Sequence, residues 1–181
     1  MQCPATNKHS GMDRNKTVSK TRNSPATLAQ PFMGLLSLFW GNSPHSPVIF
    51  KMQKRVIRIL MGIGYRESCR GLLKDLKILP FASQYILSLL LFVVLNRGYF
   101  APNSDYHNFN TRQRNDLHLP HVSLTMYQRR VFYFGIKVFN ALPSPIKDIS
   151  SNPKKFKVTL KHYLLTHSFY NLDEFFSEQN A

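Results

Sequence analysis

Apolar residues return with a helical period over most of the chain after residue 32 and are sparse before it. Residues 47–61 (PVIFKMQKRVIRILM) set the pattern most sharply. Ile49, Met52, Val56 and Ile59 recur at i, i+3, i+7 and i+10, while Lys51, Lys54, Arg55 and Arg58 recur at i, i+3, i+4 and i+7. Both series fit one helical period, which predicts an amphipathic helix with one face packed into protein and another presenting four cations with no carboxylate between them. Ser46 suits the cap, Pro47 the first helical position and Gly62 a left-handed stop.

The other segments follow the same logic. Residues 32–40 (FMGLLSLFW), closed by the turn formers Gly41, Asn42, Ser43 and Pro44, predict a buried helix packing on the basic one. Ser68 caps a short helix through Leu76, with Leu72, Leu73 and Leu76 on its apolar side and Arg70 and Lys74 on its polar side. Residues 81–96 (FASQYILSLLLFVVLN) are apolar almost all round, ended by Arg97 and Gly98, and fit a core helix or a bilayer segment. The uninterrupted apolar part, 89–95, is far shorter than the roughly 20 residues a bilayer span needs, so the core helix is the better reading.

Residues 101–116 are polar and loop-forming. Leu117, Leu119, Val122 and Leu124 then alternate briefly around Pro120, enough for an edge strand or extended arm. Residues 127–141 (YQRRVFYFGIKVFNA) fit a helix or a strand containing Gly135, and their length favours a helix ended at Leu142 and Pro143. Asn152 as cap and Pro153 at the first position launch a second basic helix, with Phe156, Leu160 and Leu164 on one side and Lys154, Lys157 and Lys161 on another. The tail from 168 onward carries enough aromatic residues to dock as a last short helix.

Composition adds a partner class. With 181 residues and 43% hydrophobic content the chain can bury one core. The expected fold is mainly α: a small helical domain over 32–181 with a long polar loop and one short extended arm, preceded by a disordered basic tail over 1–31 whose only acid is Asp13. That tail lacks both the apolar core of a secretory signal and the amphipathic stripe of a mitochondrial one. Lys and Arg number 24 against 9 Asp and Glu, a formal charge of +15, which selects a polyanion as partner: nucleic acid or an anionic membrane surface. Cys3 and Cys69 form no CxxC pair, so a disulfide scaffold and a zinc fold are both disfavoured, and a reducing intracellular compartment, cytoplasmic or nuclear, is expected.

The candidate chemistry is therefore phosphate binding. Lys51, Lys54, Arg55 and Arg58 are the leading candidates, followed by Arg112 in the polar loop, Arg129 and Arg130 beside Phe132, Tyr133 and Phe134, and Lys154, Lys157 and Lys161. Aromatic residues interleaved with cations suit base stacking, although apolar aromatics at helical spacing also build cores. His118 and His121 lie close together, as do His162 and His167, but no Cys or carboxylate completes a ligand set with either pair. No G-x-S-x-G elbow occurs, and Gly62-Ile63-Gly64 lacks the lysine of a P-loop. Neither a catalytic residue, a metal site nor a cofactor is expected.

Several stretches resemble one family: MGLLSLFWGNS, IFKMQKRVIRILMG, SCRGLLKDLKILP, YILSLLLFVVLNR, HNFNTRQ, LHLP, FGIKVFNALP and PKKFK. In order and spacing they are similar to the C-terminal region of arthropod non-LTR retrotransposon reverse transcriptases of the jockey-like type, over nearly all of 33–178. The resemblance implies a region downstream of the polymerase palm and thumb, holding RNA template or nicked target DNA near other parts of the reverse transcriptase. The family's palm uses a paired-Asp motif to hold two metal ions for nucleotidyl transfer. No Asp-Asp pair occurs in this chain, and its acids are scattered at Asp13, Glu67, Asp75, Asp105, Asp116, Asp148 and in the tail.

The expectation is thus a fragment, lacking palm and endonuclease, that binds RNA or DNA backbone without sequence preference. The rival is a small basic membrane-associated protein with 81–95 in or on the bilayer and the basic helix on its anionic surface. A decayed insertion without activity is a third reading.

Overall fold

A computed structural model describes residues 37–38, 40–106 and 113–179. The basic tail over 1–31 and Arg112 lie outside the described residues. The mainly α expectation holds: the described residues form eight helices, joined by three single 3-10 turns, and no strand. The helices are α1 (Ser46–Met61), α2 (Arg70–Asp75), α3 (Phe81–Leu95), α4 (Thr125–Gln128), α5 (Val131–Asn140), α6 (Ser144–Asp148), α7 (Pro153–His167) and α8 (Leu172–Gln179).

The apolar stretch that begins at Phe81 is the centre of the fold. Ten of the 15 residues of α3 are buried, and α1, α5 and α7 all pack against it. A helix apolar round most of its circumference is stable in water only if covered on several sides, and three neighbours provide that cover. Among the described residues no helix is long and apolar enough to cross a membrane. Gly135 lets α5 come close: a Cβ there would lie 2.8 Å from Val93 Cγ2. From α7, Phe156, Leu160 and Leu164 point inward and are fully buried, as their spacing predicts. The Asn152 side chain accepts from the Lys155 amide at 3.2 Å, the expected cap.

Several expectations need correction. The apolar series on α1 does not face the protein: Met52, Val56 and Ile59 are 62%, 54% and 70% exposed. Phe50, Gln53 and Ile57 face inward instead. Ile57 joins Cys69 and Leu73 in a second small core with Phe50 and Tyr170 at its edge, and Gln53 donates to the Leu79 carbonyl at 2.9 Å. Only one side of a helix can face inward, and here the contacts of Ile57 with Cys69 and Leu73 and of Phe50 with the Tyr170 ring select it.

The described end of the 32–40 run packs on α3, and residues 32–36 and 39 lie outside the described residues. Ser37 donates to Ser88 Oγ at 3.2 Å, and the space a Cβ would need at Gly41 is filled by the Tyr85 ring. Ser68 lies one residue too early to cap α2; Cys69 holds that position, and Arg70 N reaches Ser68 Oγ at 3.4 Å. Gly98 sits inside a 3-10 turn, while Asn96 closes α3 by donating to the Phe92 carbonyl at 2.8 Å. The single helix expected over 127–141 is two, because Arg130 is extended between α4 and α5. The expected arm reduces to one antiparallel bridge between Pro102 and Leu117.

Candidate nucleic-acid interface

Local sequence places the cations of α1. The helix opens at Ser46 with Pro47 in its first turn and His45, not Ser46, at the cap; Gly62 at φ 62° stops it, and the roughly four turns between put Lys51, Lys54, Arg55 and Arg58 on one flank. The chain then folds back so that the residues between α7 and α8 meet that flank. Asn171 Oδ1 accepts from the Glu174 amide at 2.7 Å, and Glu174 Oε2 accepts from the Tyr170 amide at 2.6 Å, a reciprocal cap that fixes Tyr170 opposite Phe50. The two rings meet edge to face at 4.7 Å.

All four α1 cations line one open cleft of about 1180 Å³, with Phe50, Tyr65, Tyr170, Asn171 and Asp173 among the other wall residues. Lys54 Nζ sits 4.5 Å from the Phe50 ring centre and 5.7 Å from that of Tyr170. Arg58 donates twice to the Glu67 carbonyl, at 3.2 and 2.9 Å, and its guanidinium lies 5.8 Å from the Tyr65 ring, which is 79% exposed. Arg70 lies 4.3 Å over Tyr170 and pairs with Glu174 at 3.1 Å. Burial pushes the Tyr170 phenol above its ordinary value despite the neighbouring Arg70. Lys51 and Arg55 are exposed, and among the described residues none of the four cations pairs with a carboxylate. Among the described residues Asp173 is the single acid of the wall.

The remaining candidates are dispersed. Arg129 is exposed, and its carbonyl accepts from Asn42 Nδ2 at 3.4 Å, which sets it next to one wall of the cleft. Arg130 stacks over Tyr127 at 4.5 Å. Lys154 and Lys157 are exposed and Lys161 half-buried along α7; none of them lines the cleft. The aromatic trio beside Arg130 is largely structural: Phe134 is buried, and Phe132 stacks on Phe100 at 4.5 Å. Sequence reasoning missed Tyr65 and Tyr170 in the cleft wall and Arg70 stacked on Tyr170; they come together through chain return rather than helical period and leave no periodic signal.

His118 stacks on Tyr106 at 3.9 Å, and His167 Nδ1 contacts the Glu178 carboxylate. No group of three or more potential metal ligands occurs among the described residues.

Chemically the cleft offers fixed positive charge, exposed ring surface and almost no negative charge. Its volume exceeds the roughly 300–1,000 Å³ of a small-molecule pocket, and its open shape suits a chain-like anion laid along it. Compared with family models, curated proteins and solved structures, the chain matches none of them.

Proposed function

We propose that the chain binds the RNA or DNA backbone without sequence preference, as a non-catalytic piece resembling the end of a jockey-like retrotransposon reverse transcriptase. The observation that carries this reading is the convergence of Lys51, Lys54, Arg55 and Arg58 on one cleft with a single carboxylate in its wall. Phosphates would sit against Lys51 and Arg55, which pair with no carboxylate among the described residues, and a splayed base would lie on the exposed Tyr65 ring beside Arg58. Arg129 extends the charge past Asn42. The reading assigns no nucleotidyl transfer to this chain, since it has no Asp-Asp pair of the kind that holds two magnesium ions in the family's palm. It places the protein in the cytoplasm or nucleus, where RNA and DNA are found.

The test is a gel shift on single-stranded RNA across a salt series. Four neutralised phosphates give a slope of roughly −3 to −4 in log affinity against log salt. Changing Lys51, Lys54, Arg55 and Arg58 together to Gln should cut retention at low salt at least about ten-fold, with helix content unchanged by circular dichroism. Undiminished retention would exclude the cleft as the binding surface.

A further inference from the structure

The outer face of α1 is unlike that of an ordinary surface helix. At 3.6 residues per turn its circumference divides into three strips. Phe50, Gln53 and Ile57 face the protein, and Lys51, Arg55 and Arg58 run along one flank. Between them on the solvent side lie Val48, Met52, Val56, Ile59 and Leu60, exposed by 51%, 62%, 54%, 70% and 65%. Val48, Met52, Val56 and Leu60 follow one another at i+4, with Ile59 beside them, so the strip runs the length of the helix without a polar break. Single exposed apolar residues are ordinary; a continuous strip of several hundred Å² marks a surface that meets something.

Charge narrows what that something is. The 16 residues of α1 hold four cations and no acid. A second copy of a chain with a formal charge of +15 would bring like charges together along the same line. The partner must offer apolar depth next to negative charge along a straight helix length. The strip is also convex and aliphatic, without the Trp, Tyr or Arg anchor that fills a pocket at the centre of a protein interface. An anionic bilayer meets both requirements: acyl chains under the aliphatic strip, lipid phosphates and carboxylates beside Lys51 and Arg55. Aromatic residues suited to headgroup depth flank the helix in sequence, with Trp40 51% exposed before it and Tyr65 beyond Gly62.

We propose that α1 is an in-plane lipid-docking helix, with Val48, Met52, Val56, Ile59 and Leu60 entering the acyl boundary of an anionic membrane and Lys51 and Arg55 at its headgroups. This does not rest on nucleic-acid binding. The two surfaces share cations, but none of the five aliphatic residues lines the cleft. It also differs from a membrane span, because α3 stays in the core.

The experiment is co-sedimentation of the full chain with phosphatidylcholine vesicles, with and without phosphatidylserine, set beside the RNA gel shift. The chain should pellet with the anionic vesicles and remain in solution with the neutral ones. Met52→Gln, Val56→Gln and Ile59→Gln together, a helix-compatible change at exposed positions, should lower vesicle retention at least about ten-fold while RNA retention stays as it was. Ile59→Gln alone should act in the same direction. Absence from the anionic pellet at low salt overturns the proposal, and so does retention that the triple variant keeps, which would be charge alone. A self-association that the triple variant abolishes, without vesicle binding, would assign the strip to a second copy and equally overturn it.

Discussion

Gly135 is the residue on which the approach of two helices turns. Alanine is the better helix former by about 0.8–1 kcal/mol, so propensity alone favours Gly135→Ala. The position forbids it. The new methyl would lie 2.8 Å from Val93 Cγ2 and 3.6 Å from Leu89 Cδ1, and Val93 is fully buried on a stiff, branched side chain. Overpacking of this kind costs about 1–3 kcal/mol, which exceeds the propensity gain. Gly135→Ala should therefore lower the urea midpoint at unchanged slope, by about 1 kcal/mol in net stability. A higher midpoint would show that α3 and α5 are not in this close contact.

At the scale of elements, the loop that returns to the core is held by a clamp. Asn140, at the end of α5, accepts from the Leu117 amide at 2.9 Å and donates to the Leu117 carbonyl at 2.8 Å. Lys147 from α6 donates to Asp116 Oδ1 at 2.9 Å and to the Asn140 carbonyl at 2.7 Å. Asn140→Ala leaves both backbone groups of the buried Leu117 without those partners, a loss of about 1–3 kcal/mol. Hydrogen exchange should show the Leu117 amide losing protection ahead of α3; protection that survives the substitution would count against the clamp. None of this was legible in the sequence, because Leu117 and Asn140 meet across 23 residues with no shared period. What could be read was local: α1 and its glycine stop, α3 as a covered helix, and α7 with its Asn152 cap, each set by spacing within one segment. The face of α1 was not, since two apolar series coexist on it and only the tertiary partner chooses between them. The four α1 cations were legible as a group, whereas Tyr170 reaches the cleft from a distant position in the chain, with Arg70 stacked on it.

For the whole molecule, stability should decline on the alkaline side. Tyr85 is 1% exposed, stacked 6.0 Å from Phe134 and pressed against Gly41, and burial holds its phenol far above the ordinary value of 10.0. Above about pH 10 the unfolded chain releases this proton while the folded one keeps it, so stability is complete below that pH and falls as pH rises. Thermal melts from neutral to alkaline pH should show a decline that is shallower in Tyr85→Phe, which keeps the ring and removes the proton. An identical decline in both would place the sensitivity elsewhere. The position of α3 in chain order bears on synthesis as well. It emerges from the ribosome with Ile86, Leu89, Leu90 and Val93 bare, because α5 and α7, which cover them, are translated later. A nascent chain of this protein is thus stickiest about midway through its own translation, and it sheds that stickiness only when Phe156, Leu160 and Leu164 arrive to seal the interior.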